Sequence, residues 1–297
     1  MIITEKHPWI VHSKEFADLC KPLEIFQIHH VTYLKLFNDG SRISLSNKPE
    51  WLADYYGLNL YDSSLFEKRP SEYQAEFSVW IGEYDLEVYQ HGKHYYNTYH
   101  SITINEPVED GCEFYLFSTS QAHAKAIQYL SNHIDILYHF ILYVKNRGQH
   151  LFQQQKSMRL WLPEIQKNPQ SPEIDVNDVN DINYSEVMMN LRHKFLKETP
   201  IRQYAFKLDN DEKIQLTQRE LHCISHLLNN KTAVEISAAM HISKRTVESH
   251  LENIKQKLQC ENKPALIKLL QQDRLLRSVC HNLQHWGAHT HASLDTV

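Results

Sequence analysis

Glycine is scarce in this 297-residue chain, with seven in all. They are too few and too scattered to build a phosphate-cradling loop, and no GxGxxG, Walker or GxSxG pattern occurs. Nucleotide-driven and serine-hydrolase chemistry lose their usual frames, so neither an enzyme activity nor a cofactor is expected. The five cysteines, Cys20, Cys112, Cys223, Cys260 and Cys280, are odd in number and lack CxxC spacing. That excludes a disulfide framework and points to reduced thiols in a cytoplasm. No run of 18 apolar residues is present, so no membrane-spanning helix is expected. The opening MIITEKHPWIVHSKEF has no apolar segment behind a basic start, so no secretory signal is expected either. Histidine is plentiful, at 20. However, His285, His289 and His291 have no cysteine or carboxylate at ligand spacing, and His29-His30 and His91 with His94 stand apart, so no metal site is expected.

Charge and aromatic residues divide the chain in opposite directions. Residues 213–272 hold nine Lys or Arg against five Glu, a net +4. Residues 273–297 balance at zero, which leaves −9 for residues 1–212. Only the C-terminal part therefore attracts phosphate. Of 32 aromatic residues, 25 precede residue 150, including 14 of the 16 tyrosines. Tyrosine combines an apolar face with a hydroxyl, so this density fits either a ligand pocket or a ring-filled core.

The stretch Leu216 to Leu270 carries the strongest pattern. Thr217 with Glu220 forms a capping box ahead of Leu221, Ile224, Leu227 and Leu228, and Asn229-Asn230 close that helix. Thr232 caps a short helix over Ala233 to Met240. Ser243 caps a longer one over Lys244 to Leu258, with Val247, Leu251, Ile254 and Leu258 inward. Pro264 opens a fourth helix with Leu266, Ile267, Leu269 and Leu270. A short helix, a tight turn and a basic longer helix describe a helix-turn-helix.

In these residues the chain resembles the LuxR/FixJ type of DNA-binding domain of bacterial transcription regulators. The resemblance rests on Leu216-Thr217, Arg219-Glu220, Lys231-Thr232, Glu235-Ile236, Ile242-Ser243, Arg245-Thr246-Val247-Glu248, His250, Asn253-Ile254 and Lys257-Leu258. Asn230 stands where the family usually has Gly, and Asn shares Gly's tolerance of a left-handed backbone. The resemblance implies double-stranded DNA as partner. One small helix-turn-helix buries too little surface for specificity on its own, so a homodimer is expected, and RNA polymerase is a further candidate partner. The resemblance also implies that Glu248, Ser249 and Glu252 face base edges, while Lys244, Arg245, Thr246, Asn253 and Lys257 hold phosphates. Leu266, Leu269 and Leu270 are the candidate dimer face, together with a long helix running from Ala122.

In the first part, Ser13 is expected to cap a helix ended by Pro22. His30–Phe37 and Arg42–Ser46 read as strands joined by the turn Asn38-Asp39-Gly40-Ser41. A helix follows over Glu50–Tyr56, then a strand over Phe77–Ile81 and a short helix near Tyr84–Gln90 stopped by Gly92. His100–Asn105 and Cys112–Thr119 are two further strands, and Ser120 opens one long helix ending at Gly148. The expected fold is an α+β N-terminal α/β/α sandwich with an antiparallel sheet, followed by an all-α, four-helix LuxR-type helix-turn-helix domain.

The segment WLADYYGLNLYDSSLF is similar to the signature of acyl-homoserine-lactone-binding domains of quorum-sensing regulators. The resemblance implies that Trp51, Tyr55 and Asp62 line a pocket, with Trp80 as a second wall and Asp62 accepting from the signal's amide. Without it, Trp51 and Tyr55 read as an i, i+4 core pair and Asp62 as a helix cap. The spacing from Trp51 to Asp62 is about two residues short of the family's, and Ser63 replaces its Pro. The expected organisation is a sensory domain over 1–160, a linker with one helix over 161–212, the helix-turn-helix over 213–272 and a tail over 273–297. The function read from all this is a transcription regulator controlled by a small-molecule signal. The alternative is a regulator whose N-terminal domain is a ligand-free dimerisation or protein-interaction module.

Overall fold

A computed structural model describes residues 5–63, 69–80, 86–153, 158–162, 182–208 and 212–287. Pro8 sets the start of helix α1 (Pro8–Cys20), because its fixed φ suits a first turn and its missing N–H costs nothing there. His7 is the cap, its ring accepting from the Trp9 amide at 3.3 Å. Ser13 is therefore interior rather than a cap. It is fully buried and its Oγ accepts from the Ser46 amide at 3.0 Å.

Strands β1 (His30–Phe37) and β2 (Ser41–Ser46) form the expected hairpin, with Gly40 at φ +84° in its turn. After β2 come α2 (Pro49–Gly57), β3 (Glu76–Trp80), α3 (Glu87–Tyr96), β4 (His100–Val108) and β5 (Gly111–Thr119). Gly92 does not stop α3. The helix runs on to Asn97, whose φ of 53° ends it, because glycine alone weakens a helix without breaking it. Next are α4 (Ala124–Asn132), α5 (Asp135–Arg147), α6 (Gln149–Gln153) and the two-residue strand β6 (Leu160–Trp161). The six strands pair antiparallel in the order β3-β4-β5-β1-β2-β6.

One long helix after Ser120 was expected, and the chain instead breaks at His133-Ile134. Asp135 opens the second helix, where a carboxylate complements the positive helix end. The apolar spacing continues through the break, so periodicity alone could not locate it. In α5 every residue from Ile136 to Val144 is buried.

Helices α1 and α2 pack on β2, and α4 packs against β4 and β5. Leu34, Leu36, Cys112 and Phe114 form an apolar cluster on one sheet face. Register places Tyr33, Glu113 and Tyr115 on the other, where buried Glu113 accepts from Tyr115 at 2.9 Å and Tyr33 at 3.3 Å.

The C-terminal elements are α7 (Ile182–Glu198), β7 (Gln203–Lys207), β8 (Lys213–Thr217), α8 (Gln218–Leu228), α9 (Ala233–Met240), α10 (Lys244–Lys257), α11 (Lys263–Gln272) and α12 (Arg274–Gly287). Two differ from expectation. The end of the expected linker over 161–212 carries a strand, β7, which pairs with β8 as a hairpin, because Tyr204, Phe206, Leu208 and Leu216 alternate into a core. The expected tail over 273–297 begins with α12, whose Leu276, Val279, Cys280 and Leu283 recur at helical steps and are buried. The side chain of His285 and all of His289 and His291 lie outside the described residues, as do residues 163–181 of the expected linker.

By contact density the chain forms two units: Met1–Asn132 with Gly148–Met188, and His133–Arg147 with Met189–Val297. This division differs from a cut at residue 160, because α5 belongs with the C-terminal elements. Among the described residues no helix is long and apolar enough to cross a membrane.

Candidate nucleic-acid interface and ring cluster

The helix-turn-helix is built by its caps. Thr217 Oγ1 accepts from the Glu220 amide while the Glu220 carboxylate accepts from the Thr217 amide at 2.8 Å, which fixes the start of α8. Thr232 and Glu235 repeat the arrangement at α9, and Ser243 Oγ accepts from the Thr246 amide at 3.0 Å to start α10. Asn230 takes the left-handed backbone expected of it, at φ 59°, and His241 does the same at φ 50° between α9 and α10. One core holds the three helices: Leu221, Ile224 and Leu227 from α8, Ile236 and Met240 from α9, and Val247, Ile254 and Leu258 from α10 and its end.

With those residues inward, α10 turns Lys244, Arg245, Thr246, Glu248, Ser249, Glu252 and Asn253 to solvent. The exposed face already carries internal pairs. Lys244 meets Glu248 at 3.4 Å, Lys255 meets Glu252 at 2.5 Å, and Ser249 Oγ donates to the Arg245 carbonyl at 3.0 Å. Surface pairs of this kind contribute little and exchange readily for phosphate or base contacts. Lys257 differs. Its Nζ lies 2.8 Å from the nearly buried Glu220 carboxylate and donates to the Gln215 carbonyl at 3.2 Å. Burial pushes the Glu220 pKa up, but the bonds from Lys257 and Thr217 outweigh it and hold the carboxyl below its ordinary value. Glu220 thus does two jobs, capping α8 and anchoring the end of α10. Sequence reasoning saw only the first, because the second joins residues 37 positions apart.

The three leucines of α11 are not alike. Leu266 and Leu270 are fully buried in the same core as α8 and α12, and Leu269 packs partly against it.

In the first unit, Trp51 sits at the centre of a ring cluster. Its ring lies 5.4 Å from His30, 5.2 Å from Tyr96, 5.8 Å from Tyr55 and 6.2 Å from His91, centroid to centroid. Gly92 lies beside it, and a Cβ there would reach ordinary contact with the indole at 3.8 Å. The acid beside this cluster is Asp54, not Asp62. Its Oδ2 accepts from Tyr96 Oη at 2.7 Å and lies 3.0 Å from His91 Nε2. Burial, followed by the Asp54 hydrogen bond, raises the Tyr96 pKa. Asp62 is exposed in a short 3-10 turn, its amide donating to the Asn59 carbonyl at 3.0 Å. Trp80, half-buried on β3, has its indole N–H bonded to Ser78 Oγ at 3.1 Å and its ring 6.1 Å from Tyr89. The structure therefore brings Trp51 and Tyr55 together and adds His30, Asp54, His91 and Tyr96. The one available sequence signal was that Asp54 follows Trp51 by three residues, one helical turn.

His30 is fully buried, with Nδ1 3.2 Å from Thr98 Oγ1 and Nε2 3.1 Å from Ser46 Oγ. Burial, helped by Lys48, lowers its pKa to about 3, so it packs as a neutral ring. Among the described residues no three His, Cys, Asp or Glu side chains are grouped to hold a metal ion.

Comparison with known proteins agrees with the geometry of the C-terminal part. The family model GerE, bacterial regulatory proteins of the luxR family, matches residues 214–270. No curated protein matches the chain. Among solved structures, Escherichia coli SdiA aligns at 12% identity with a TM-score of 0.30, covering 89% of this chain and 92% of that one. SdiA in complex with octanoyl-rac-glycerol aligns at 13% identity with the same score, covering 89% of each chain. Neither alignment is close enough to carry a function across. Residues 214–270 form a helix-turn-helix domain of the luxR family of bacterial regulatory proteins.

Proposed function

We propose that the chain regulates transcription by placing α10 in the major groove, under the control of its N-terminal unit. The observation that carries this is the solvent face of α10, which presents basic, hydroxyl and acidic groups on a helix whose opposite side is locked in a core. Lys244, Arg245, Thr246 and Asn253 suit phosphates, and Glu248, Ser249 and Glu252 suit base edges, with the acids favouring cytosine amino groups. Arg245→Ala should weaken specific and random duplexes alike and make log affinity fall less steeply with log salt, by about one unit. Ser249→Ala should instead change the preference among sequences. Equal losses for both variants on every duplex would overturn the assignment. One small helix-turn-helix buries little surface, so binding as a homodimer is part of the proposal. Sedimentation with and without duplex DNA tests it, and a monomer under both conditions would refute it.

For the N-terminal unit we propose sensing of a small apolar molecule with one hydrogen-bond donor, using Trp51 and Tyr55 as walls and Asp54 as acceptor. The density of rings supports this. A ligand-free interaction module is favoured by a different observation: Asp54 is already engaged by His91 and Tyr96, and Trp51 is ringed by its own neighbours. Thermal shift of the full chain against homoserine lactones and a wider metabolite panel separates the two. Stabilisation that is lost in Asp54→Ala supports sensing, and no shift with any compound supports the module.

A further inference from the structure

The luxR-family match ends at residue 270, but the folded unit around it does not. Helix α12 lies beyond the match and packs on both α8 and α5. On the α8 side, Ser225 Oγ donates to the Cys280 carbonyl at 2.8 Å. The apolar residues Leu276, Val279, Cys280 and Leu283 share one core with Leu221, Ile224 and Leu227.

The α5 side of the unit is held by polar groups. Buried Arg192 of α7 pairs with Asp135 of α5, and its Nη2 donates to Asn282 Oδ1 of α12 at 2.7 Å. Asn282 Nδ2 in turn donates to the Asp135 carbonyl at 3.0 Å. Two further contacts fix the register of α5. Arg274 Nη1 donates to Tyr138 Oη at 2.8 Å, and His139 Nε2 lies 2.8 Å from the Thr199 carbonyl. Because that partner only accepts, Nε2 carries the proton.

Such a knot specifies one arrangement better than it stabilises it. Taking an ion pair out of water offsets most of its attraction, and the Arg192 Nε is buried without a hydrogen-bond partner among the described residues. Helix α5 is also distinctive in its connections. It belongs to the second unit, yet the chain before it, to Asn132, and after it, from Gly148, belongs to the first.

We propose that α5 and α12 couple the N-terminal unit to the helix-turn-helix, with Asp135, Arg192 and Asn282 as the latch. A change in the first unit acts on both ends of α5 through the continuous chain. The latch passes it to α12, and α12 passes it to α8, the helix on which α9 and α10 are built. The proposal rests on the regulator reading above, in which α10 meets DNA, but its first test is independent of DNA.

That test is amide hydrogen exchange on the full-length protein. In the wild type, α5, α12 and α8 should open as one cooperative unit, at a rate distinct from that of β1, β4 and β5. Exchange of α5 in step with those strands would overturn the proposal without any variant. The second test is Asp135→Asn, which keeps the shape and weakens the latch. Exchange in α8 and α12 should rise while the strands stay protected, and affinity for a random 30-base-pair duplex at low salt should change by about fivefold or more. A variant with a lower melting temperature but wild-type α8 exchange and duplex affinity would show a merely structural role and sink the proposal. Failure of the wild type itself to bind duplex would count against the regulator reading, leaving the exchange result to stand or fall separately.

Discussion

At the scale of single residues, burial decides charge. His139 is buried beside Phe195, and burial lowers its pKa from 6.5 to about 4. Its Nδ1 is buried without a partner among the described residues, so a second proton has nothing to bond. The unfolded chain binds that proton more readily than the folded one, so folded-state stability is present above pH 6.5 and is lost as pH falls towards 4. Denaturant unfolding followed from pH 7 to 4 should show this decline. His139→Gln keeps a donor for the Thr199 carbonyl and should flatten that part of the curve. An unchanged slope would mean that other groups cause it.

Lys257 gives a second residue-scale prediction. A free phosphate-binding lysine would affect only DNA affinity when removed. This one neutralises the nearly buried Glu220, so Lys257→Ala should lower unfolding free energy by about 1–3 kcal/mol. Chemical denaturation measures it, with Arg245→Ala, exposed on the same helix, as the control expected to leave stability unchanged. Equal stability in both variants would free Lys257 for phosphate.

At the scale of elements, two glycines of the first unit should behave oppositely. Gly92 lies inside α3 at an ordinary helical backbone, and an added Cβ would meet Thr98 at 3.7 Å and Trp51 at 3.8 Å, normal contact distances. Gly92→Ala should therefore stabilise by about 0.5–1 kcal/mol through reduced freedom of the unfolded chain. Gly111 begins β5, and a Cβ there would lie 1.9 Å from the Leu36 carbonyl oxygen, a clash with backbone that cannot step aside. Gly111→Ala should unfold the sheet or fail to accumulate. Urea denaturation of the first variant and circular dichroism of the second check the pair.

At the scale of the whole molecule, α12 is an addition to the family domain that covers apolar residues of α8. Ending the chain before Arg274 removes buried Leu276, Val279, Cys280 and Leu283 from that core. Losing several such side chains at roughly 1.5–3 kcal/mol each exceeds the margin of a small unit. The shortened chain should lose the cooperative melting of the C-terminal helices while the sheet keeps its own transition. Calorimetry showing an unchanged second transition would mean that residues 214–270 stand without α12.

The helix-turn-helix was legible in the sequence because its information is local. Caps lie three residues from their partners, apolar positions recur every three or four, and a left-handed turn announces itself by Asn. Strands β1 to β5 and the β1–β2 hairpin were legible for the same reason, whereas the two-residue β6 was not. What only the tertiary structure decided depends on residues far apart in the chain. Periodicity cannot show that α5 leaves the helix before it and joins α12. Nor can spacing show that Lys257 returns to Glu220, or that Asp54 rather than Asp62 meets the rings around Trp51. A run of buried apolar residues states that a helix will be covered, and leaves open which element covers it. That choice falls to the packing of the folded chain, where a few polar groups such as Asp135, Arg192 and Asn282, far apart in sequence, bond to one another.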